Sequence, residues 1–291
     1  MGELAVITPS FAGDADLFEQ LHRSVLEHTS EKTVHHVIVP TADRALFAPY
    51  SGPRCRVWTE PELLLRRYVR LPAVGFWLNV RRPWPPVRGW VLQQALKIAA
   101  AGIVDADAVL IADSDIVLVR PTNVRRFTVN GQLALYRCDH AIHAGMERHV
   151  RWHQAARRLL GLPGMPVPPL HDYVSSLNPW EPALVRAMQR RITEVSDSHW
   201  MEAITSEVHV SEFILYGLFV DEVVGVETPR PRLKSGFCHN YWDRTPLDLD
   251  GAHSFVDRMP QEAVGMMISS KSGTSLEVRT AAVQRGAPTT Q

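Results

Sequence analysis

The chain has 291 residues, enough for one large domain or two small ones with a sizeable core. Apolar residues make up 45% and charged residues 21%, a globular composition. The 31 Lys and Arg balance 31 Asp and Glu, which argues against a general nucleic-acid binder and leaves a small anionic ligand open. No apolar run reaches the ~18–20 residues of a membrane span. The N-terminus carries Glu3 and no basic stretch, so no signal peptide is expected. Cys55, Cys138 and Cys238 are odd in number and widely spaced, so neither a disulfide framework nor a structural zinc site is expected, and a reduced, cytoplasmic setting is the default.

In chain order, residues 4–11 (LAVITPSF) read as a buried strand running into a loop. Asp16 and Glu19 have the spacing of a capping box, with Leu17, Leu21 and Val25 at helical spacing, which predicts a helix over 16–28. A strand is expected over 34–39, a short helix over 42–48, a strand over 56–58, and a Pro-opened helix over 61–69. Residues 72–88 form a connection rich in Pro and Arg. A helix follows over 89–101 with Gly102 as its stop, then the AVLIA strand over 108–112. Alternating strands and helices imply a mainly parallel, Rossmann-like α/β sheet covered by helices. The second half is less regular. Strands are expected over 132–137 and 223–226, helices over 144–160, 180–194 and 211–220, and a Pro-rich loop over 161–169. Residues 1–268 are expected as one domain, with a ligand-binding half over 1–120 and a second half over 121–268. The polar residues 269–291 are expected to be a flexible tail.

The chemical signal is Asp113-Ser114-Asp115, directly after AVLIA. Read as extended backbone, it projects both carboxylates to one side at the carboxyl end of a buried strand, where open α/β sheets bind ligands. Two such anions repel, and a divalent cation, Mn²⁺ or Mg²⁺, relieves that repulsion through oxygen ligands. The alternative is a loop with two solvated acids.

Together with the TPSF strand end, the GWVLQQALK helix, IADSDIVLVRP and the late CHNYW, this layout resembles the GT-A glycosyltransferases over about residues 4–245. It is also similar to a bacterial group of glycosyltransferases without assigned substrates, and to the mycobacterial mannosyltransferases of methylmannose polysaccharide synthesis. The resemblance implies a GT-A fold with a nucleotide-binding half and an irregular acceptor-binding half. It implies transfer of a hexose, such as mannose from GDP-mannose, from a GDP- or UDP-linked donor to a saccharide or small-molecule acceptor. Asp113, Asp115 and His239 would hold the metal. Thr8, Pro9, Ser10, Phe11, Arg88, Gln93, Lys97 and Ser114 would meet the nucleotide, with Gln94 a further polar candidate.

His171, Tyr173, Trp180, Tyr241 and Trp242 have the stacking and hydrogen-bonding chemistry of an acceptor site, and each also suits packing. Glu212 or Asp172 would accept the acceptor proton; Glu212 equally suits a helix start, where the dipole favours an acid. Eight Arg against two Glu over residues 54–88 suit either a solvated face or an anionic ligand. Two other readings remain. One is a phosphatase of the haloacid dehalogenase type, against which Ile116 stands where that motif carries Gly. The other is a non-catalytic sugar-nucleotide-binding protein. A homo-oligomer is compatible with the sequence.

Overall fold

A computed structural model describes residues 2–71 and 76–286. Three parallel crossovers build the centre: β1 (Leu4–Pro9), β2 (Val34–Val39), β3 (Cys55–Thr59) and, after a long excursion, β7 (Ala108–Ala112). The excursion contains β4 (Tyr68–Arg70), β5 (Trp77–Asn79) and β6 (Arg82–Val87), an antiparallel three-stranded sheet. The central sheet runs β3-β2-β1-β7 with all pairs parallel, and the Leu177–Trp180 strand closes the β7 edge antiparallel. Every residue of β1 and β7 is buried, because helices cover both faces. The fold class is therefore α/β with a mainly parallel sheet flanked by helices.

Strand order reverses between β1 and β7. Chains leaving neighbouring strands there turn to opposite faces, which opens a crevice at their carboxyl ends. A second sheet continues from that point: β8 (Ile116–Leu118) pairs antiparallel with Gly265–Ile268, itself parallel to Cys238–Tyr241. The acid pair thus lies on the seam between two sheets.

The Gly89–Ile103 helix is nearly all apolar and small, and it is packed on most of its circumference. It runs straight through Gly102. This glycine answers a packing need, because a Cβ there would lie 2.6 Å from Gln189 Nε2, whose amide donates to Ile98 O. The Asp16–Glu19 capping box does not form; a 3-10 turn over Ala12–Asp14 leads into the Ala15–His28 helix. The reciprocal bond appears at Thr59 instead, where Glu62 accepts from the Thr59 amide at 2.7 Å. The helix there stops at Leu63 and the chain becomes β4, so the expected helix over 61–69 is one turn long.

The expected connection over 72–88 holds the β5–β6 hairpin, with residues 72–75 outside the described residues. The strand expected over 223–226 is instead part of a π-type turn, Phe219–Val224, extending the preceding helix. The strand expected over 132–137 is split into two short pieces, Gln132–Leu133 and Leu135–Tyr136. Nor is the segment after Ser269 a free tail as far as residue 286: Leu276–Gly286 is a helix with Arg279 and Ala282 buried. Its polar composition disguised an Arg that points inward. Residues 287–291 lie outside the described residues.

Four of the 13 histidines are buried. His35 Nδ1 lies 3.0 Å from His22 Nδ1, and His35 Nε2 lies 2.9 Å from Thr8 Oγ1. Burial lowers the pKa of His36 to about 4, helped by Arg56, and that of His153 to about 4, partly offset by the His171 carbonyl. An unfolded histidine takes a proton near 6.5, whereas these folded ones stay neutral to about 4. The unfolded state therefore binds more protons in that window, and stability falls as pH drops through it, by roughly 3 kcal/mol for each such group at full protonation. Thermal melts from pH 7 to about pH 4 should show Tm falling steadily below about 6.5; a flat profile would contradict neutral burial.

Candidate active site

The chain leaves β7 as a tight turn, with the Ile116 amide donating to Asp113 O at 3.2 Å, and not as extended backbone. The turn still keeps the two carboxylates within electrostatic reach. Burial, with the Asp113 charge as a smaller contribution, raises the Asp115 pKa to about 6. Ser114 between them is buried and locks the turn to the end of β1: its hydroxyl donates to Pro9 O at 3.2 Å and lies 3.0 Å from Ser10 Oγ. The two loops that border the crevice are thereby one unit.

Behind the turn, Lys97 reaches in from the third turn of the Gly89–Ile103 helix. Its ammonium lies 2.8 Å from Asp113 Oδ1 and 3.0 Å from Glu212 Oε1. Lys97 and Glu212 are both buried, while Asp113 is half exposed. Two carboxylates hold Lys97 in its charged form against the cost of burial. Glu212 opens the Glu212–Leu218 helix, capped by the Ser211 hydroxyl. It is buried and bonded to Lys97, and so is not presented at the crevice as a proton acceptor would be.

Asp115 is held from the other side. Its Oδ2 accepts the Ser270 amide at 2.8 Å. Arg279 spans the same corner, donating to the carbonyls of Ile268, Ser269 and Thr274 at 2.6, 2.8 and 3.1 Å, and its charge lowers the pKa values of Asp115 and Asp14. Asp14 joins the cluster, its carboxyl raised by burial and then by Asp113. Sequence reasoning missed Asp14, Ser270 and Arg279. The available signal for Arg279 was its place on the same helical stripe as Ala282 and Val283.

Several expected residues stand elsewhere. His239 Nε2 lies 2.9 Å from Phe255 O and its ring stacks on Phe255 at 4.2 Å. Side chains alternate along a strand, and it is Cys238, the neighbour on the other face, whose thiol feels the Asp115 charge. Among the described residues, no three His, Cys, Asp or Glu side chains form a ready metal cage. Thr8 is buried and its hydroxyl is engaged by His35, so it does not face the crevice. Pro9 is buried and contributes its carbonyl to Ser114, while Phe11 beyond it is exposed.

Trp180 and Tyr173 are core residues. Trp180 stacks on Tyr216 at 4.8 Å, and the Tyr173 hydroxyl donates to Asp221 while its ring fills the space a Gly217 Cβ would need. Neither has a free ring face for a sugar. Tyr241 bonds Thr245 O, and Trp242 is exposed. His171 sits 3.2 Å from Asp139, and Asp172 Oδ1 accepts the Val174 amide. Arg88 donates to Val208 O, Gln93 is half-buried, and Gln94 is buried with its amide on Trp90 O.

The oxygen set fits a hard divalent cation in part. Asp113 Oδ2 and Asp115 Oδ1 have no partner among the described residues, and a phosphate-bearing ligand and water would complete the shell.

A search of curated proteins finds no match. Among solved structures, the chain is similar to an active-site mutant of LgtC, with TM-score 0.47 and 15% identity. It is likewise similar to the galactosyltransferase LgtC in complex with donor and acceptor sugar analogs, with TM-score 0.47 and 13% identity. Each alignment covers 99% of this chain and 97% of the other. The model of a family of unknown function, DUF6492, matches residues 5–234, most of the chain, and the protein belongs to that family.

Proposed function

We propose that this protein is a divalent-cation-dependent glycosyltransferase that moves a hexose from a nucleoside diphosphate sugar to an acceptor hydroxyl. The observation that carries the reading is the acid pair at the sheet's switch point, with one free oxygen on each carboxylate and a buried ammonium behind. A Mn²⁺ or Mg²⁺ ion bound there would supply positive charge to the leaving diphosphate. Two carboxylates at a sheet's carboxyl end, each with one oxygen unpartnered among the described residues, suit such an ion. Mannose as the sugar and guanosine as the base extend the resemblance noted in the sequence.

The chain's own groups have separable tasks. Ser114 and Ser10 fix the two loops so that the carboxylates do not reorganise when a ligand arrives. Phe11, exposed one residue beyond Ser10, offers a ring face to a base. Lys97 holds Asp113 in one orientation, and Glu212 holds Lys97. The Ser270 amide does the same for Asp115. Asp172, whose carboxyl burial raises, is the group proposed to take the acceptor proton.

Two measurements test this arrangement. Asp115→Asn keeps the shape and removes the charge. Calorimetry with GDP and UDP in the presence of Mn²⁺ should show at least a roughly tenfold loss of affinity, about 1.4 kcal/mol, and chelator should abolish binding to the parent chain. Equal affinity in variant and parent would end the reading. Lys97→Met strands Glu212 as an uncompensated buried charge, so urea unfolding should show a loss of about 3–5 kcal/mol. Lys97→Met combined with Glu212→Met should recover much of that loss. A single variant as stable as the parent would contradict the ion pair.

A further inference from the structure

Among the described residues, the sheet formed by β4, β5 and β6 is covered on one face. Tyr68, Trp77, Asn79 and Val87 point inward and are buried. The residues between them point out. Val69 lies opposite Leu78, and Leu71 bonds through its amide to Phe76 O, so Val69, Leu71, Phe76 and Leu78 form one side. Phe76 is 53% exposed, Val80 at the strand end 59%, and Trp84 on β6 79%. Single exposed apolar residues are ordinary, but a contiguous set with an almost naked indole is not.

Charge at the hairpin end of this sheet, where Arg82 lies opposite Asn79 and is exposed, is of one sign. No Asp or Glu occurs between Glu62 and Asp105, while residues 66–88 carry six Arg. Arg67 is tied to Glu202 at 2.9 Å and Arg70 approaches Glu60 at 3.8 Å. Arg66, Arg81 and Arg82 are exposed and have no acid partner among the described residues. The chain is neutral overall, so this is a local excess.

We propose that the outer face and the exposed hairpin end of the β4–β5–β6 sheet dock on an anionic lipid bilayer, with Trp84 and Phe76 at the headgroup level and the exposed Arg66, Arg81 and Arg82 on lipid phosphates. An indole prefers the zone where apolar and wet layers meet. A guanidinium presents a planar fork to phosphate oxygens. A second copy of this chain is the weaker occupant, because a two-fold contact would set the same arginines against each other. The sheet follows β3, an edge strand that β2 and β1 separate from the β7 end carrying the acid pair, and its last strand leads into the helix that bears Lys97. The inference needs no assumption about catalysis.

The test is flotation of the full chain with vesicles of phosphatidylcholine alone or with about 30% phosphatidylglycerol. Binding should appear only on the anionic vesicles and be lost between about 50 and 500 mM salt. Arg81→Ser with Arg82→Ser should lower the partition coefficient about 20-fold. Trp84→Ser and Phe76→Ser should each lower it at least about fivefold, with thermal melts unchanged. Val167→Ser, a change at an exposed apolar residue far along the chain, should have no effect. Failure to bind anionic vesicles, equal binding to neutral ones, or indifference to all four patch substitutions would overturn the proposal. So would a dimer in solution that Trp84→Ser dissociates, since a second copy would then be the occupant.

Discussion

One ammonium group, that of Lys97, stands between two carboxylates in a place water does not reach. Two buried charges and a half-exposed third are tolerable here because each lies close to an opposite one, and a single cation serves both anions. That requirement fixes the rotation of the Gly89–Ile103 helix, the start of the Glu212–Leu218 helix and the turn after β7 with respect to one another. Asp113 is the only member of the trio that reaches the surface, so the net negative charge left over is presented at the crevice. The architecture thus converts a problem of core electrostatics into a ligand-facing charge of defined position.

Much of the frame was legible because its cause is local. β1 and β7 are continuous apolar runs ending in Thr-Pro-Ser and Asp-Ser-Asp, and burial on both faces is what such runs mean. The sequence marks Lys97 as the one lysine between 32 and 234 and suggests a phosphate or acceptor contact; in the structure its ammonium meets Asp113 and Glu212. Errors arose where a distant residue decides the outcome. Thr8 has a hydroxyl suited to a ligand, but His35, from the neighbouring strand, already uses it. His239 has suitable chemistry but the wrong strand parity, and Phe255 supplies the face it rests on. Trp180 and Tyr173 have sugar-stacking rings, yet the Glu212–Leu218 helix and its Gly217 cover them.

Elements failed for similar reasons. A short Pro-opened helix and a Pro-rich connection became a sheet, because the apolar side chains of Tyr68, Trp77 and Val87 find a common surface that no local pattern announces. That rearrangement also leaves the reverse side of the sheet bare, so the same cause that defeated local reading produced the exposed aromatic and arginine face.

The turn that aims Asp115 is clasped by a peptide group 155 positions later, and that peptide is in turn gripped by the guanidinium of Arg279. During synthesis the parallel core emerges before Ser270 and Arg279 do, so Asp115 gains its clasp only once the Leu276–Gly286 helix has been made, and a copy lacking that helix would leave its carboxylate unaimed.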